Sequence, residues 1–236
     1  MNRKMRNYTY SWGYFLFFRW FAASWLLHGV HVLDKTEKYL YVFFEVLLIV
    51  VVFGIMYALG CQTWWAYLIA LIMVHTITWL TDSHWLVGFR EVDKKFSSKG
   101  IILTLEYIEM VSHVFSKLSN IEAVLVYGSM SRRMFHNRSD LDIRIWQDGF
   151  SLKTFFMVQK YRFIGIWKYR IPLDLKLVDS MEYLKREMRS DEKAIVGYSK
   201  DGKPVYNSGF TLSDIKANPS EFLRENNPVW IAENKK

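Results

Sequence analysis

The chain has 236 residues, a net charge of +8, 51% hydrophobic and 17% aromatic residues, and mean hydropathy near zero. That average hides two unlike halves: residues 1–89 hold seven of the ten Trp and only ten charged side chains, and residues 90–236 hold the other 25 Lys/Arg and 19 Asp/Glu. A disordered chain is excluded, as is an evenly polar soluble protein, and the charged second half argues against a pure membrane channel.

Residues 8–33 are apolar but carry Arg19, His28 and His31, so this segment either spans a membrane or lies in its interface. Arg19 interrupts the apolar run and no small-residue cleavage site follows, which fits a signal peptide poorly. Residues 39–60 carry a single charge, Glu45, and at 1.5 Å per residue can cross a hydrocarbon core of roughly 30 Å. Residues 64–80 carry no formal charge and are flanked by Trp64, Trp65 and Trp79, as an interfacial aromatic belt would be. The expectation is a multi-pass protein of the cell membrane with two or three spans. Lys35, Lys38, Arg90, Lys94, Lys95 and Lys99 outnumber Arg3, Lys4 and Arg6, so the second half is expected in the cytoplasm.

A reversal near Cys61 would bring Glu45 and His75 within about 3 Å of the same depth. His28, Asp82 and His84 fall towards the same face. Interhelical hydrogen bonds would account for these polar groups, and so would a pocket for a lipid head group. Nothing in their spacing is specific for a metal. Cys61 is the only cysteine, which excludes an internal disulfide and a cysteine-based zinc site.

Residues 90–100 read as a polar linker. Ile101, Leu105, Ile108, Val111, Phe115 and Leu118 share one helical face. An apolar run, Ala123 to Tyr127, then enters Gly128-Ser129. Residues 141–146 and 171–178 alternate strictly, with Asp142 and Arg144, then Asp174 and Lys176, on their polar faces. Helices are expected over 150–164 and about 179–190. Residues 194–208 read as a hairpin turning at Asp201-Gly202, and the tail 208–236 as holding a short helix begun by Ser213 or Asp214. The expected domain boundaries are 101–207 for a folded α+β domain and 208–236 for the tail.

Asp140 and Asp142 lie two apart entering a strand, so their side chains point the same way. Asp174 could join them from a neighbouring strand. Three converging carboxylates repel one another unless a divalent cation sits among them. Gly128-Ser129 lets backbone N–H groups approach a phosphate closely, with Arg132 and Arg133 placed to neutralise it. Lys/Arg runs interleaved with aromatics are absent, which argues against a nucleic-acid interface.

These residues resemble the DNA polymerase β-like nucleotidyltransferase superfamily. The pattern is an apolar strand, Gly-Ser, about ten residues, Asp-x-Asp between apolar residues, and a third Asp on a later strand. Here it reads VLVYGSMSRRMFHNRSDLDIRIW and then IPLDLKLV. Minimal members show Gly-Ser-x-Ala-Arg-Gly followed by Ser-Asp-Leu-Asp. Arg132 matches, and Ser139 opens Ser139-Asp140-Leu141-Asp142, but Arg133 stands where the family has Gly. The resemblance implies a small mixed sheet with flanking helices. It implies attack of an acceptor oxygen on the α-phosphorus of a nucleoside triphosphate, ATP among them, with pyrophosphate leaving. It assigns Asp140, Asp142 and Asp174 to Mg2+ or Mn2+ and to catalysis, with Asp174 also at the acceptor hydroxyl. It gives Gly128, Ser129, Arg132, Arg133 and Ser139 to the nucleotide. Fused to membrane spans, such a domain is expected to act on a membrane lipid or lipid-linked acceptor. The alternative is a regulatory, toxin–antitoxin-like module that modifies or binds a partner protein. His136 and Lys176 read as a loop His and a polar-face Lys.

Overall fold

The computed structural model describes residues 22, 24–26, 33–81 and 100–224. The first long helix, α1 (Lys35–Ala58), is capped by Asp34, whose carboxylate accepts from Lys35 N at 2.9 Å. After a tight turn with Gly60 at φ 77°, α2 (Trp64–Thr81) returns alongside α1. Both helices are long and apolar enough to cross a membrane. Trp64 and Trp65 stack on each other at the turn end of the pair, and both are exposed. Most of the segment 8–33, the linker up to residue 99, and His28, Asp82 and His84 lie outside the described residues.

Glu45 and His75 do meet: Nδ1 of His75 lies 2.5 Å from Oε1 of Glu45. The other ring nitrogen, Nε2, is 2.9 Å from the carbonyl oxygen of Trp25, whose indole sits edge-on to the imidazole. Polar groups on facing apolar helices are thereby satisfied within the protein.

The second half is an α+β domain. Helix α3 (Ile101–Phe115) buries the face expected for it, with Ile101, Leu105, Ile108, Val111 and Phe115 all in the core. Then follow β1 (Ile121–Tyr127), a single helical turn α4 (Gly128–Ser131), β2 (Leu141–Gln147), α5 (Leu152–Trp167), β3 (Leu173–Val178), α6 (Met181–Glu187), β4 (Ala194–Ser199), β5 (Ser208–Thr211) and α7 (Leu212–Ala217). The sheet order is β3-β2-β1-β4-β5. β1 runs antiparallel to both β2 and β4, and β2 is parallel to β3. A parallel pair needs a crossover, and α5 supplies it. Every residue of β1 is buried. Val124 and Val126 face the main core under α3 and α5, while Ala123, Leu125 and Tyr127 face a smaller cluster completed by Tyr183 and Leu184 of α6.

The hairpin expected at Asp201-Gly202 is corrected. The chain does turn there, with both residues at positive φ, but β5 pairs with β4 in parallel. The segment 200–207 instead carries the chain back past Tyr127, whose hydroxyl donates to Tyr206 O, to the start of β4. The helix expected to begin at Ser213 or Asp214 begins one residue earlier. Thr211 caps it in a capping box with Asp214. Leu212, Ile215, Phe222 and Leu223 pack into the main core, so the sheet and its core run past residue 207.

The start of α1 is fastened to edge strand β3. Glu37 is fully buried and pairs with the guanidinium of Arg162 from α5. Its second oxygen accepts from Leu177 N on the open edge of β3 at 3.0 Å. Arg162 also donates to Leu175 O at 2.8 Å and to the Tyr41 hydroxyl at 2.6 Å. Asp179 N donates to Asp34, and Thr36 N donates back to Asp179. An edge strand that would otherwise present unpaired N–H groups is covered in this way.

Candidate active site

The register of the sheet gathers the motif residues. Tyr127 pairs with Asp142, so the chain leaves β1 into Gly128-Ser129 beside the second Asp of Asp-x-Asp. In the parallel pair β2/β3, Asp142 stands opposite Asp174 and Arg144 opposite Lys176. These four side chains share the sheet face that Tyr127 also occupies.

Gly128 adopts φ +74° and lies so close to Asp142 that a Cβ built on it would fall 1.9 Å from Oδ2. A side chain here is barred both by backbone strain and by the carboxylate. Gly128→Ala is expected to keep the fold, displace Asp142 and lower turnover by about tenfold or more, roughly 1.4 kcal/mol of transition-state stabilisation. Turnover per folded molecule, with the melting temperature as control, checks this. Unchanged turnover would mean that this contact is not needed for the chemistry.

Ser129 Oγ is buried and has no hydrogen-bond partner among the described residues. Ser131 caps back onto Gly128 O at 3.0 Å, and Arg132 Nε reaches the same carbonyl at 3.2 Å and Glu192 at 3.6 Å. Arg133 occupies the left-handed region at φ 56°, the conformation in which the family's glycine would be at ease. Its guanidinium lies over Phe210, 4.7 Å from the ring centroid, and over Phe222 at 5.5 Å. Arg133 is thereby oriented by two aromatic rings. Ser139 is likewise engaged: its hydroxyl accepts from His136 N at 3.1 Å and its N–H donates to His136 O at 2.8 Å, which fixes the loop before Asp140. His136 Nδ1 in turn accepts from Arg138 N at 3.2 Å.

Two cations sit among the carboxylates. Arg144, nearly fully buried, donates through Nη2 to Asp174 Oδ2 at 2.8 Å and lies 3.5 Å from Asp142 Oδ1. Lys176 Nζ meets the same Asp174 oxygen at 3.1 Å. In the sequence both stand only as residues on the polar face of a strand. The signal was the repeat Asp-x-Arg and Asp-x-Lys, but the β2/β3 register was needed to see them face each other. Burial, then the neighbouring charge of Asp140, pushes the Asp142 carboxyl well above its ordinary range, with Asp174 and Glu192 adding to the effect and Arg144 opposing it. Glu192 is a buried carboxylate that no motif flagged. Asp174 and Asp142 hold the Arg144 guanidinium firmly protonated despite its burial.

Among the described residues no group of three His, Cys, Asp or Glu forms a ready-made metal cluster. The donor set of Asp140 and Asp142 nevertheless fits a hard divalent cation. Both supply hard oxygen donors, and burial together with the charge of Asp140 disfavours the ionised form of Asp142 when no cation offsets it. Arg144 and Lys176 both bind Oδ2 of Asp174, and neither of these bonds engages Oδ1.

Residues 109–201 match the family model described as Polymerase beta, Nucleotidyltransferase. The match covers α3 from Glu109, the Gly-Ser turn, Asp140, Asp142, Asp174 and strand β4. The five-stranded mixed sheet fits a polymerase β-like domain, and the match supports nucleotidyl transfer as its general chemistry. No curated protein and no solved structure matches the chain.

Proposed function

We propose that this protein is a membrane-anchored nucleotidyltransferase. It moves a nucleoside monophosphate from a triphosphate to a lipid-linked or membrane-proximal acceptor, with its catalytic domain on the cytoplasmic side. The observation that carries the reading is the packing of Gly128 against Asp142, opposite Asp174, with the Ser129 hydroxyl, unpartnered among the described residues, beside it. Backbone N–H groups of the turn and the Ser129 hydroxyl would donate to the triphosphate, with Arg132 adding positive charge. Asp140 and Asp142 would hold Mg2+ or Mn2+, whose charge would neutralise the phosphates and the leaving pyrophosphate. Asp174 is the carboxylate nearest in role to the acceptor hydroxyl. Arg144 and Lys176 hold that carboxylate in place. The acceptor oxygen forms the new bond to the α-phosphorus as the bond to pyrophosphate breaks.

The test is incubation of detergent-purified protein with magnesium, α-labelled triphosphates and a membrane lipid extract. Label is expected in the organic phase. Label on added protein instead would favour the regulatory reading. No labelled product with any of the four nucleotides, with lipid or with protein acceptors, would overturn transferase activity.

A further inference from the structure

The α+β domain shows little large apolar surface, and nearly all of it is in one place. Within residues 100–224, Met134 apart, the large apolar side chains that are exposed are Phe150, Leu152, Phe156, Phe163 and Trp167. The last four fall at i, i+4, i+11 and i+15 of α5, one stripe along one face of the helix. Phe163 and Trp167 are 64% and 65% exposed and lean on each other with ring centroids 5.9 Å apart. Exposed Lys153, Lys160, Lys168 and Arg170 lie along and around the stripe.

The stripe continues from the apolar helix pair. Phe44 of α1 packs against Phe156 with centroids 5.2 Å apart and stacks on Phe155 at 5.6 Å. Gln159 of α5 accepts from the Tyr41 hydroxyl at 2.9 Å. The α1 side chains next to this contact, Val42, Phe43 and Val46, are themselves exposed and apolar. An apolar, aromatic stripe with lysines along one side is the composition of a helix lying in a bilayer interface: rings sit among the acyl chains and lysines reach the head groups.

We propose that the exposed face of α5 is a lipid-contact surface that rests on an anionic bilayer and holds the catalytic domain against the membrane from which α1 emerges. This rests on the membrane reading of α1 and α2. The contact would fix the orientation of the domain relative to the bilayer, which a flexible tether would leave free. The lysines account for a preference for anionic lipid, since basic side chains near such a surface are drawn to its negative charge.

The test uses the full chain in lipid nanodiscs of phosphatidylcholine and phosphatidylglycerol. Cys61→Ser removes the only thiol. Leu152→Cys and Phe163→Cys are then made singly and labelled with an environment-sensitive fluorophore. Val50→Cys on α1 serves as the lipid reference and Glu109→Cys on α3 as the water reference. Leu152 and Phe163 labels are expected to be quenched by spin-labelled lipid, as at Val50, and shielded from iodide compared with Glu109. Replacing phosphatidylglycerol by phosphatidylcholine is expected to shift the Phe163 label towards iodide. Iodide quenching equal to that at Glu109 in both lipid mixtures would overturn the proposal. So would shielding from both quenchers, which would mark a protein–protein surface. If Val50 itself escapes spin-labelled lipid, the membrane reading of the hairpin is what has failed.

Discussion

Glu37→Ala is expected to destabilise the protein by about 3–5 kcal/mol, the usual cost of removing one partner of a buried ion pair. Three losses coincide. Arg162 is left charged inside the fold, almost without solvent contact. Leu177 N on the edge of β3 loses its acceptor. The first turn of α1 loses its grip on the sheet, leaving Asp34, Thr36 and Tyr41 to hold it. Glu37→Gln keeps an acceptor for Leu177 N and is expected to fall between wild type and Ala. Glu37→Leu combined with Arg162→Met removes both charges and is expected to recover much of the loss, because apolar replacement of a buried pair is often neutral. Denaturant unfolding of the detergent-solubilised chain, followed by tryptophan fluorescence, ranks the four proteins. A Glu37→Ala protein as stable as wild type would show that the contact contributes nothing. Turnover is expected to fall as well, because β3 also carries Asp174, three residues from the bonded N–H.

How much of this was legible beforehand follows from how local each signal is. The strict alternation of residues 141–146 defined β2 almost to the residue, and the one-faced apolar pattern of 101–118 defined α3. Both signals are complete within a few turns of chain. The Asp201-Gly202 turn was visible for the same reason, since two consecutive positive φ values are what Asp-Gly favours. Where the chain goes next was not visible. β5 is only Ser208–Thr211, mostly exposed and without alternation, and its partner is decided by Asn207, whose amide bonds the carbonyls of Ser190 and Glu192. Glu37 and Arg162 are 125 residues apart, and nothing near either announces the other. In the site itself, the spacing of Gly-Ser, Asp-x-Asp and the later Asp was legible. The reach of Arg144 to Asp174 was not, because it depends on pairing two strands separated by a helix. The departure at Arg133 was legible as a departure, but its solution, a left-handed backbone with the guanidinium over two phenylalanines, needed the tail to fold back.

Asp142→Asn should nearly abolish turnover while making the resting fold firmer. It removes one carboxylate charge and leaves the shape intact. Catalysis by positioning and charge neutralisation depends on that charge, so the expected loss is on the order of several kcal/mol of transition-state stabilisation. The stability effect has the opposite sign. The folded-state pKa of Asp142 is raised above its unfolded value, first by burial and then by Asp140. Below the ordinary carboxylate value of about 3.9 the group is protonated in both states and contributes nothing. As pH rises past that value the unfolded chain releases its proton while the folded chain retains it, so stability falls. Above the raised folded value both states are ionised and the loss stays constant. Asparagine does not titrate, so the melting temperature of Asp142→Asn is expected to exceed that of wild type near neutral pH, with the gap closing towards pH 4. Magnesium with triphosphate reverses the order, because a ligand that binds only the folded state raises its stability, and the variant has lost part of the binding site. Melting curves at several pH values, with and without magnesium and triphosphate, beside turnover measurements, separate these effects. Near-normal turnover in Asp142→Asn would remove this residue from the catalytic set, and a variant less stable than wild type at every pH would make its role structural.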